Sequence, residues 1–285
     1  MKTKLYDVIV LGAGAGGLNI AGFMNRAGFK VLLVDKEDRA IGGDCLNFGC
    51  VPSKALIHVA REVAAGRAAE RFGVTLTGTV DLKKVTDYVR EKQEVIRTHE
   101  NAAHFRKQGM EVALGAASFV DADTVEVAGT RYRGKKIVIA TGSRPRKFSV
   151  PGSEAVVVHD NESIFSVEVF PKRMLVVGAG PIGVELGQAF AMLGSAVTIV
   201  GPQFLPKEDP EISAPLRAAL EASGIELLRN RVNADYTTVW NDARIADLKK
   251  FAKMANEVMG GGYLDTVPEK AFTTRFVPKG YMPAK

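Results

Sequence analysis

The two cysteines of the chain, Cys45 and Cys50, lie five residues apart in a glycine-rich segment. Such a pair of thiols can form a redox disulfide or contribute to a metal site. In a regular α-helix, Cα atoms five residues apart are about 8–9 Å from each other, beyond the ~7 Å limit for a disulfide. We therefore expect the chain between the cysteines to depart from regular helix, with Asn47 and Gly49 supplying the freedom. Zinc usually takes four ligands, and two thiols without nearby histidines fall short of that set, so redox chemistry is favoured.

The chain before the cysteines predicts a strand–helix–strand unit. Residues 8–11 form an apolar run, residues 18–27 a helix that Gly28 can end, and residues 31–34 a second apolar run. Runs this apolar indicate strands that are parallel and buried. The order of elements is that of a dinucleotide-binding βαβ unit.

Four residues of this unit fit the dinucleotide-binding fingerprint. Gly12 would make the tight turn, Gly14 would let a pyrophosphate approach closely, and Gly17 would let helix and strand touch. A phosphate would then lie at the helix N-terminus, where unpaired N–H groups attract an anion. Asp35 closes the second strand and would accept hydrogen bonds from the ribose hydroxyls. Any tight strand-to-helix turn can use glycines, but here the strand, the helix and the acid are all in place.

A second unit of similar layout begins at residue 173. Its predicted strands are residues 174–177 and 196–200, and its predicted helix is residues 182–193. The glycines that repeat the fingerprint are Gly178, Gly180 and Gly183. The repetition implies two separate dinucleotide sites.

The second strand of this unit ends without an acidic residue. Gly201 and Pro202 stand where an acid would hold the free 2′-hydroxyl of NAD, which tilts the site away from a strong NAD preference. Lys207 could meet the 2′-phosphate of NADP, although it precedes two acidic residues and equally fits an ordinary surface lysine. The sequence therefore favours NADPH slightly over NADH.

The other expected elements connect and follow these two units. They are helices at 53–69 and 81–107, strands near 112, 119 and 125 with a hairpin at 121–124, a turn at 128–129, a strand at 136–140, a linker at 145–151 and, after residue 228 where the sequence changes character, an amphipathic helix at 242–259. Alternating strands and helices predict an α/β fold.

Length, charge and apolar content limit the classes of protein. With 285 residues, 46% of them hydrophobic, the chain can bury a sizeable core and exceeds one compact domain. The net charge is +6, but the basic residues are scattered among 32 acidic ones, which favours a surface serving phosphate-bearing cofactors over nucleic-acid binding. No uncharged apolar stretch reaches the ~18 residues of a membrane span. We expect a soluble protein, and a reducing cytoplasm suits a catalytic dithiol.

Four segments carry a specific resemblance to a known family. They are residues 42–54 around the cysteines, 115–119, 140–145 and 183–187. In this order they resemble the FAD-dependent pyridine nucleotide-disulfide oxidoreductases, the family that includes dihydrolipoamide dehydrogenase, glutathione reductase and mercuric reductase. The resemblance implies two Rossmann-like domains, one binding FAD and one binding NAD(P).

The resemblance also implies which residues line the cofactors. Those expected around FAD are Gly12, Gly14, Gly17, Asp35, Gly43, Lys54, Gly115, Thr141, Gly142 and Ser143, and those expected around the nicotinamide cofactor are Gly178, Gly180, Gly183 and Glu185. Asp35 departs from the family's usual glutamate by one methylene, and the same ribose contact is still expected.

By the same resemblance, the catalytic residues are Cys45, Cys50, Lys54 and Glu185. Cys50 would face the flavin, and Cys45 would exchange with the substrate, a small disulfide, a dithiol or another electron acceptor. A helix that begins near Ser53, together with the charge of Lys54, would lower the pKa of a thiol at its start. Lys54, paired with Glu185, would lie near the reactive nitrogen of the flavin. No metal site is expected.

The resemblance ends near residue 230. We expect an FAD-binding domain at 1–150, an incomplete NAD(P)-binding domain at 151–231 and a divergent tail at 232–285. The family's dimerisation domain would then be missing by truncation, which leaves the oligomeric state open, and no histidine follows His159 to serve as acid and base for thiol exchange. Two alternatives stay open: a non-catalytic nucleotide-binding remnant, or a chain whose tail helix docks on a partner that supplies the missing parts.

Overall fold

The structure is a computed structural model that describes residues 3–145 and 157–229. The chain divides into two compact units, each built from three segments. The first unit comprises Met1–Glu62, Thr77–Pro145 and Asp160–Phe170, and the second comprises Val63–Leu76, Arg146–His159 and Pro171–Lys285. The domain limits expected at residues 150 and 231, most of the linker at 145–151 and the helix at 242–259 lie outside the described residues and stay predictions.

In the described part of the first unit, six strands form one sheet. They are β1 Lys4–Leu11, β2 Val31–Asp35, β3 Glu111–Leu114, β4 Ala117–Phe119, β5 Thr124–Val127 and β6 Thr130–Ile139. Their order across the sheet is β3-β2-β1-β6-β5-β4. β3, β2, β1 and β6 run parallel, whereas β5 and β4 continue the sheet as antiparallel strands. This confirms the mainly parallel α/β sheet that the sequence predicts.

Apolar side chains cover both faces of the parallel strands. Val8 and Val10 of β1 belong to a buried cluster on one face, together with Leu33. Ile9 of β1 and Leu32 of β2 belong to a cluster on the other face. Because successive side chains of a strand alternate between faces, a strand buried on both sides reads as a continuous apolar run, as residues 8–11 do.

Five described α-helices lie wholly or mostly in the first unit. They are α1 Ala15–Arg26, α2 Gly43–Asn47, α3 Cys50–Ala68, α4 Leu82–Arg97 and α5 Ala102–Lys107. The single helix predicted at 81–107 is wrong, because the chain turns at 98–101 and Asn101 caps α5 by accepting a hydrogen bond from the His104 N–H at 2.8 Å. An Asn at this position competes with helix continuation. No helix in the described part of the chain is both long and apolar enough to cross a membrane.

Two short connections of the antiparallel strands agree with the sequence. β4 and β5 form the hairpin expected at 121–124. The turn between β5 and β6 has Ala128 at φ 48° and Gly129 at φ 75°. Two consecutive positive φ values match the twist of hairpin strands, which confirms the turn at 128–129.

In the second unit, three described strands form a parallel sheet. They are β7 Arg173–Val177, β8 Ala196–Gly201 and β9 Glu226–Arg229, in the order β7-β8-β9. The helices are α6 Pro181–Leu193 and α7 Pro210–Ala222. α7 was not predicted because Pro215 interrupts its pattern, although Pro210 occupies a first-turn position that favours helix and Leu220 is fully buried.

Gly17 tests how tightly α1 packs on the strand before it. A Cβ at Gly17 would overlap the carbonyl oxygen of Gly12, whereas a Cβ at Gly16 meets no atom within 4 Å. We expect Gly17→Ala to lower the free energy of unfolding by about 1–3 kcal/mol through overpacking. The neighbouring Gly16→Ala should leave it unchanged or raise it by about 0.5–1 kcal/mol. Urea unfolding followed by circular dichroism measures both, and equal effects would contradict the close packing at Gly17.

Candidate active site

The four parallel strands of the first unit end at one edge of the sheet, and several of the residues predicted to line FAD lie at or directly after these ends. The N–H groups of Gly12 and Gly115 donate to carbonyl oxygens at the end of β2, both at 2.8 Å. The Ala140 N–H donates to the last carbonyl of β1, also at 2.8 Å. Residues 141–143 follow β6 after one intervening residue, Ala140. The carboxyl edge of a parallel sheet is where such folds bind ligands.

The first fingerprint turn has the shape that its glycines predict. Gly12 has φ 103°, and a Cβ there would overlap the backbone of Ala140. α1 begins directly after Gly14, which offers no side-chain cap, and its first turn holds no acidic residue. The N–H groups of the first helical turn are thus directed outward without a side-chain partner, which suits a phosphate.

Asp35 is held by two backbone groups. One carboxylate oxygen accepts from the Ala13 N–H at 2.7 Å, and the other accepts from the Lys36 N–H at 2.7 Å. The acid is therefore oriented by the fingerprint turn itself, and each oxygen keeps a lone pair for another donor. Its contact with a ribose stays a prediction.

The segment with the cysteines begins against the fingerprint turn. The Gly42 N–H donates to the Ala13 carbonyl oxygen at 2.9 Å. A Cβ at Gly43 would lie 2.5 Å from the Cα of Gly14. Gly43 also has φ 58°, a left-handed conformation that glycine adopts without strain. The two backbones can touch because Gly43 has no side chain, whereas a Cβ at Gly14 would lie in ordinary contact, 3.6 Å from the Cα of Gly43.

The two cysteines lie in two different helices. Cys45 is in the middle of α2, and Cys50 is the first residue of α3. The expected departure from regular helix is thus found at residues 48–49. α3 starts three residues before the predicted Ser53, because Pro52 is tolerated in a first helical turn where its missing N–H would have no partner.

Gly49 makes the reversal between the two helices possible. The Phe48 N–H donates to the Asp44 carbonyl at 2.8 Å, and the chain then folds back onto α2. A Cβ at Gly49 would lie 3.0 Å from the same carbonyl oxygen and 3.4 Å from the Cα of Cys45. Gly49 therefore contributes by lacking a side chain in a narrow space, and not by backbone flexibility, since it does not adopt a positive φ.

Both thiols are free in the structure, with Cys45 half-buried and Cys50 exposed. The hydrogen bond with the Cys50 side chain, partial burial and the nearby Cys50 charge hold the pKa of Cys45 above its usual value, and the Glu100 carboxylate adds a smaller effect in the same direction. Stabilising the protonated form keeps Cys45 a thiol. The lowered pKa expected from a helix start therefore does not extend to Cys45, which lies in α2.

Side chains of α4 contact the chain between the cysteines, a feature that the sequence did not predict. Gln93 donates to the carbonyl oxygens of Leu46 and Asn47, both at 2.9 Å. Arg97 donates to the Asn47 side-chain oxygen at 2.8 Å. The only signal in the sequence is that Gln93 and Arg97 are four residues apart and share one face of an amphipathic helix.

Lys54 and Glu185 lie in different units. Lys54 is in α3, one turn after Cys50 on the same face. Glu185 is in α6 of the second unit. The pairing of these two residues and their roles at the flavin stay predictions. Within the described ranges, no group of three histidine, cysteine, aspartate or glutamate residues could hold a metal ion.

The second fingerprint turn repeats the geometry of the first. Gly178 has φ 118° and donates its N–H to the Val200 carbonyl at 2.8 Å. A Cβ at Gly183 would overlap the Gly178 carbonyl oxygen. α6 follows Gly180, which provides no side-chain cap, and its first turn lacks acidic residues. This helix start can accept a phosphate for the same reason as that of α1.

The end of β8 has no room for an acidic side chain. A Cβ at Gly201 would lie 2.9 Å from both the backbone nitrogen and the Cβ of Ala179 in the fingerprint turn. The Leu205 N–H then donates to the Ala179 carbonyl at 2.8 Å, which ties the following loop to the same turn. The lack of an acid at this strand end thus has a packing reason. Lys207 lies exposed in the loop that follows.

Two βαβ units with dinucleotide-binding fingerprints, and a cysteine pair beside the first of them, are typical of redox proteins that bind two dinucleotide cofactors. Residues 6–251 match the family model of the pyridine nucleotide-disulphide oxidoreductases. The chain belongs to this family, as the resemblance of its motifs indicated. The match continues past residue 230, where that resemblance was expected to end.

Individual relatives each match about four-fifths of the chain. It is 39% identical over 230 residues to a dihydrolipoyl dehydrogenase of Thermus scotoductus, covering 79% of this chain and 48% of that protein. It is 33% identical to a mercuric reductase of Lysinibacillus sphaericus, covering 79% of this chain and 41% of that protein. The solved structure of the HOCl-induced flavoprotein disulfide reductase RclA from Escherichia coli is 27% identical, with a TM-score of 0.67 over 79% of this chain and 49% of that one. The chain spans about half the length of these relatives.

Replacing Cys50 tests the cause of the raised Cys45 pKa. In Cys50→Ala the main hydrogen-bond partner and its charge are gone, so the pKa of Cys45 should fall toward its ordinary value. The rate of alkylation of Cys45 by iodoacetamide, followed against pH with the reduced protein, should then rise at lower pH than in the wild type. Glu100→Gln should shift the profile in the same direction by less. An unchanged profile in Cys50→Ala would contradict the coupling between the two thiols.

Proposed function

We propose that this chain is a flavin-dependent oxidoreductase in which electrons pass between NAD(P)H, FAD and a disulfide formed by Cys45 and Cys50. The observation that carries the proposal is the position of the cysteine pair, whose segment starts in backbone contact with the first fingerprint turn. The similar solved structure, which covers 79% of this chain, is that of a flavoprotein disulfide reductase, and this supports the same function. The alternative of a non-catalytic nucleotide-binding remnant is not favoured, because both fingerprint turns and the thiol pair have workable geometry.

The residues of the first unit fit FAD. The uncapped start of α1 would hold the pyrophosphate, and the oriented carboxylate of Asp35 would hold the ribose. Gly43, Lys54, Gly115 and residues 141–143 would line the remainder. When bound, the flavin would accept two electrons from the nicotinamide and transfer them to the protein disulfide. The start of α6 would hold the pyrophosphate of NAD(P)H, with Gly178, Gly180, Gly183 and Glu185 around the cofactor.

The reduced cysteine pair would act on a small disulfide. The Cys45 thiolate would attack one sulfur, forming a mixed disulfide and releasing the first thiol of the substrate. Cys50 would then attack the Cys45 sulfur, releasing the second thiol and closing the Cys45–Cys50 disulfide. Two protein thiols are thereby oxidised and one substrate disulfide is reduced. Because the pKa of Cys45 is raised, this first attack requires a base to remove the thiol proton. The same steps in reverse would oxidise a dithiol substrate.

The proposed setting is a reducing compartment such as the cytoplasm. Intracellular thiol pairs there are catalytic more often than structural.

The preferred reductant is proposed to be NADPH. Gly201 packs against the fingerprint turn and excludes an acid that would hold a 2′-hydroxyl or repel a 2′-phosphate. The exposed Lys207 in the following loop would supply a positive charge to that phosphate.

A spectrum with a thiol count tests the oxidoreductase. The purified, air-oxidised chain with FAD should be yellow, and two equivalents of NADPH per chain should both bleach the flavin and convert the disulfide to two thiols, since each NADPH delivers two electrons and the chain has two cysteines. Cys45→Ser should still be bleached but should lose electron transfer to a disulfide acceptor by orders of magnitude, because the exchanging thiol is gone.

Two outcomes would contradict this proposal. One is a colourless protein that takes up no added FAD. The other is a Cys45→Ser, Cys50→Ser double variant that binds FAD and reduces disulfide acceptors at the wild-type rate.

Lys207 can be tested with a matched lysine of the same unit. Lys207→Gln should raise KM for NADPH about tenfold, the effect of losing one charged hydrogen bond, with KM for NADH unchanged. Lys172→Gln is the control, because Lys172 is exposed and precedes β7 at the opposite end of the sheet from the fingerprint turn. Equal effects on the two cofactors, or no effect, would contradict the proposed phosphate contact.

A further inference from the structure

α2, the helix that carries Cys45, ends with carbonyl groups that it cannot satisfy by itself. It has five residues, and the chain reverses directly after Asn47. The last carbonyls of a helix have no partner within the helix. Here the side-chain amide of Gln93 in α4 donates to two of them, Leu46 and Asn47, at 2.9 Å each. A side chain distant in sequence therefore caps the helix of the exchanging thiol.

Arg97, one helical turn after Gln93 in α4, also contacts the end of α2. Its guanidinium donates to the Asn47 side-chain oxygen at 2.8 Å and to the Arg39 carbonyl at 3.0 Å. The Asn47 amide in turn donates to the Gly43 carbonyl at 2.8 Å, so that one side chain joins the two ends of α2. The Arg97 side chain is 13% exposed, which limits competition from water.

These contacts fall between the two cysteines. Leu46 and Asn47 immediately follow Cys45, and the reversal that brings Cys50 back toward α2 starts at the next residue. The distance between the sulfurs depends on the backbone here, because a disulfide tolerates little variation in Cα separation. Gln93 and Arg97 contact neither thiol directly through any hydrogen bond in the described residues.

We propose that Gln93 and Arg97 are positioning residues for the redox pair, which fix the reversal between α2 and α3 and so keep the two sulfurs close enough to bridge. The proposal rests on the proposed function, since it concerns the same disulfide. Reduction separates the sulfurs but leaves the polar contacts of α4 in place. The reduced thiols then remain at high effective concentration, and the disulfide is favoured over two separate thiols.

The equilibrium between the protein and glutathione measures this effect without any cofactor reaction. One glutathione disulfide and the protein dithiol give the protein disulfide and two glutathione thiols. The full-length chain is equilibrated anaerobically in glutathione buffers, trapped with N-ethylmaleimide, and its oxidised fraction is determined by mass spectrometry.

Gln93→Met and Arg97→Met should each lower the equilibrium constant for disulfide formation about five- to tenfold, where tenfold equals about 30 mV for a two-electron couple. These variants keep side-chain size but remove the donors. Arg97→Lys, which keeps the charge and a donor, should lie between Arg97→Met and the wild type. Arg90→Met is the control, because Arg90 lies on α4 but pairs with Asp87 at an exposed site; it should match the wild type.

The outcomes separate the two proposals. If the wild-type pair forms no disulfide in any glutathione buffer, the proposed function fails and this inference with it. If the wild type cycles and the folded variants at Gln93 and Arg97 have the same equilibrium constant, only the positioning role is overturned. If a methionine variant does not fold by circular dichroism, Arg97→Lys decides, and a constant equal to that of Arg90→Met overturns the role.

Discussion

The contact between two backbones, at Gly14 and Gly43, is the constraint on which the site in the first unit depends. A Cβ at Gly43 would lie 2.5 Å from the Cα of Gly14 and separate the chains, and Gly43 also takes a left-handed conformation. The hydrogen bond from Gly42 to Ala13 fixes the same approach. As a result, the segment with the thiols starts where the uncapped N-terminus of α1 begins. The proposed phosphate site and the cysteine pair thus lie side by side because position 43 has no side chain, and not because their side chains attract each other.

The cysteine pair shows how short-range geometry and electrostatics combine. α2 and α3 are separate helices, and the reversal between them is tightly packed at position 49, where a Cβ would lie 3.0 Å from the Asp44 carbonyl oxygen. Bringing Cys50 into hydrogen-bonding contact with Cys45 raises the pKa of the latter, so the same closeness that permits a disulfide also keeps one thiol protonated. The proposed exchange reaction therefore depends on a base as well as on proximity.

The fingerprint turns of the two units have the same geometry, but the second strands end in different residues. In both, a positive-φ glycine ends the first strand and a later glycine lets the helix touch that turn. The first unit places Asp35 at the end of its second strand, held by the turn. The second unit places Gly201 there, packed against Ala179. The first strand end thus offers an oriented carboxylate, whereas the second is occupied by backbone packing. We therefore expect the two sites to bind the ribose through different groups.

Much of the fold and part of the site follow from the sequence. Both fingerprints, the buried strands, the hairpin and the break between the cysteines were predicted because each depends on neighbouring residues: apolar periodicity, glycine conformations and helix geometry. The sequence did not determine where α3 begins, that α4 and α5 are separate, that α7 forms, or that Cys45 has a raised pKa. It also gave no indication that Gln93 and Arg97 reach the chain between the thiols. These features depend on groups brought together from distant positions, and only the packing of α4 against α2 decides which polar side chain meets which unsatisfied carbonyl.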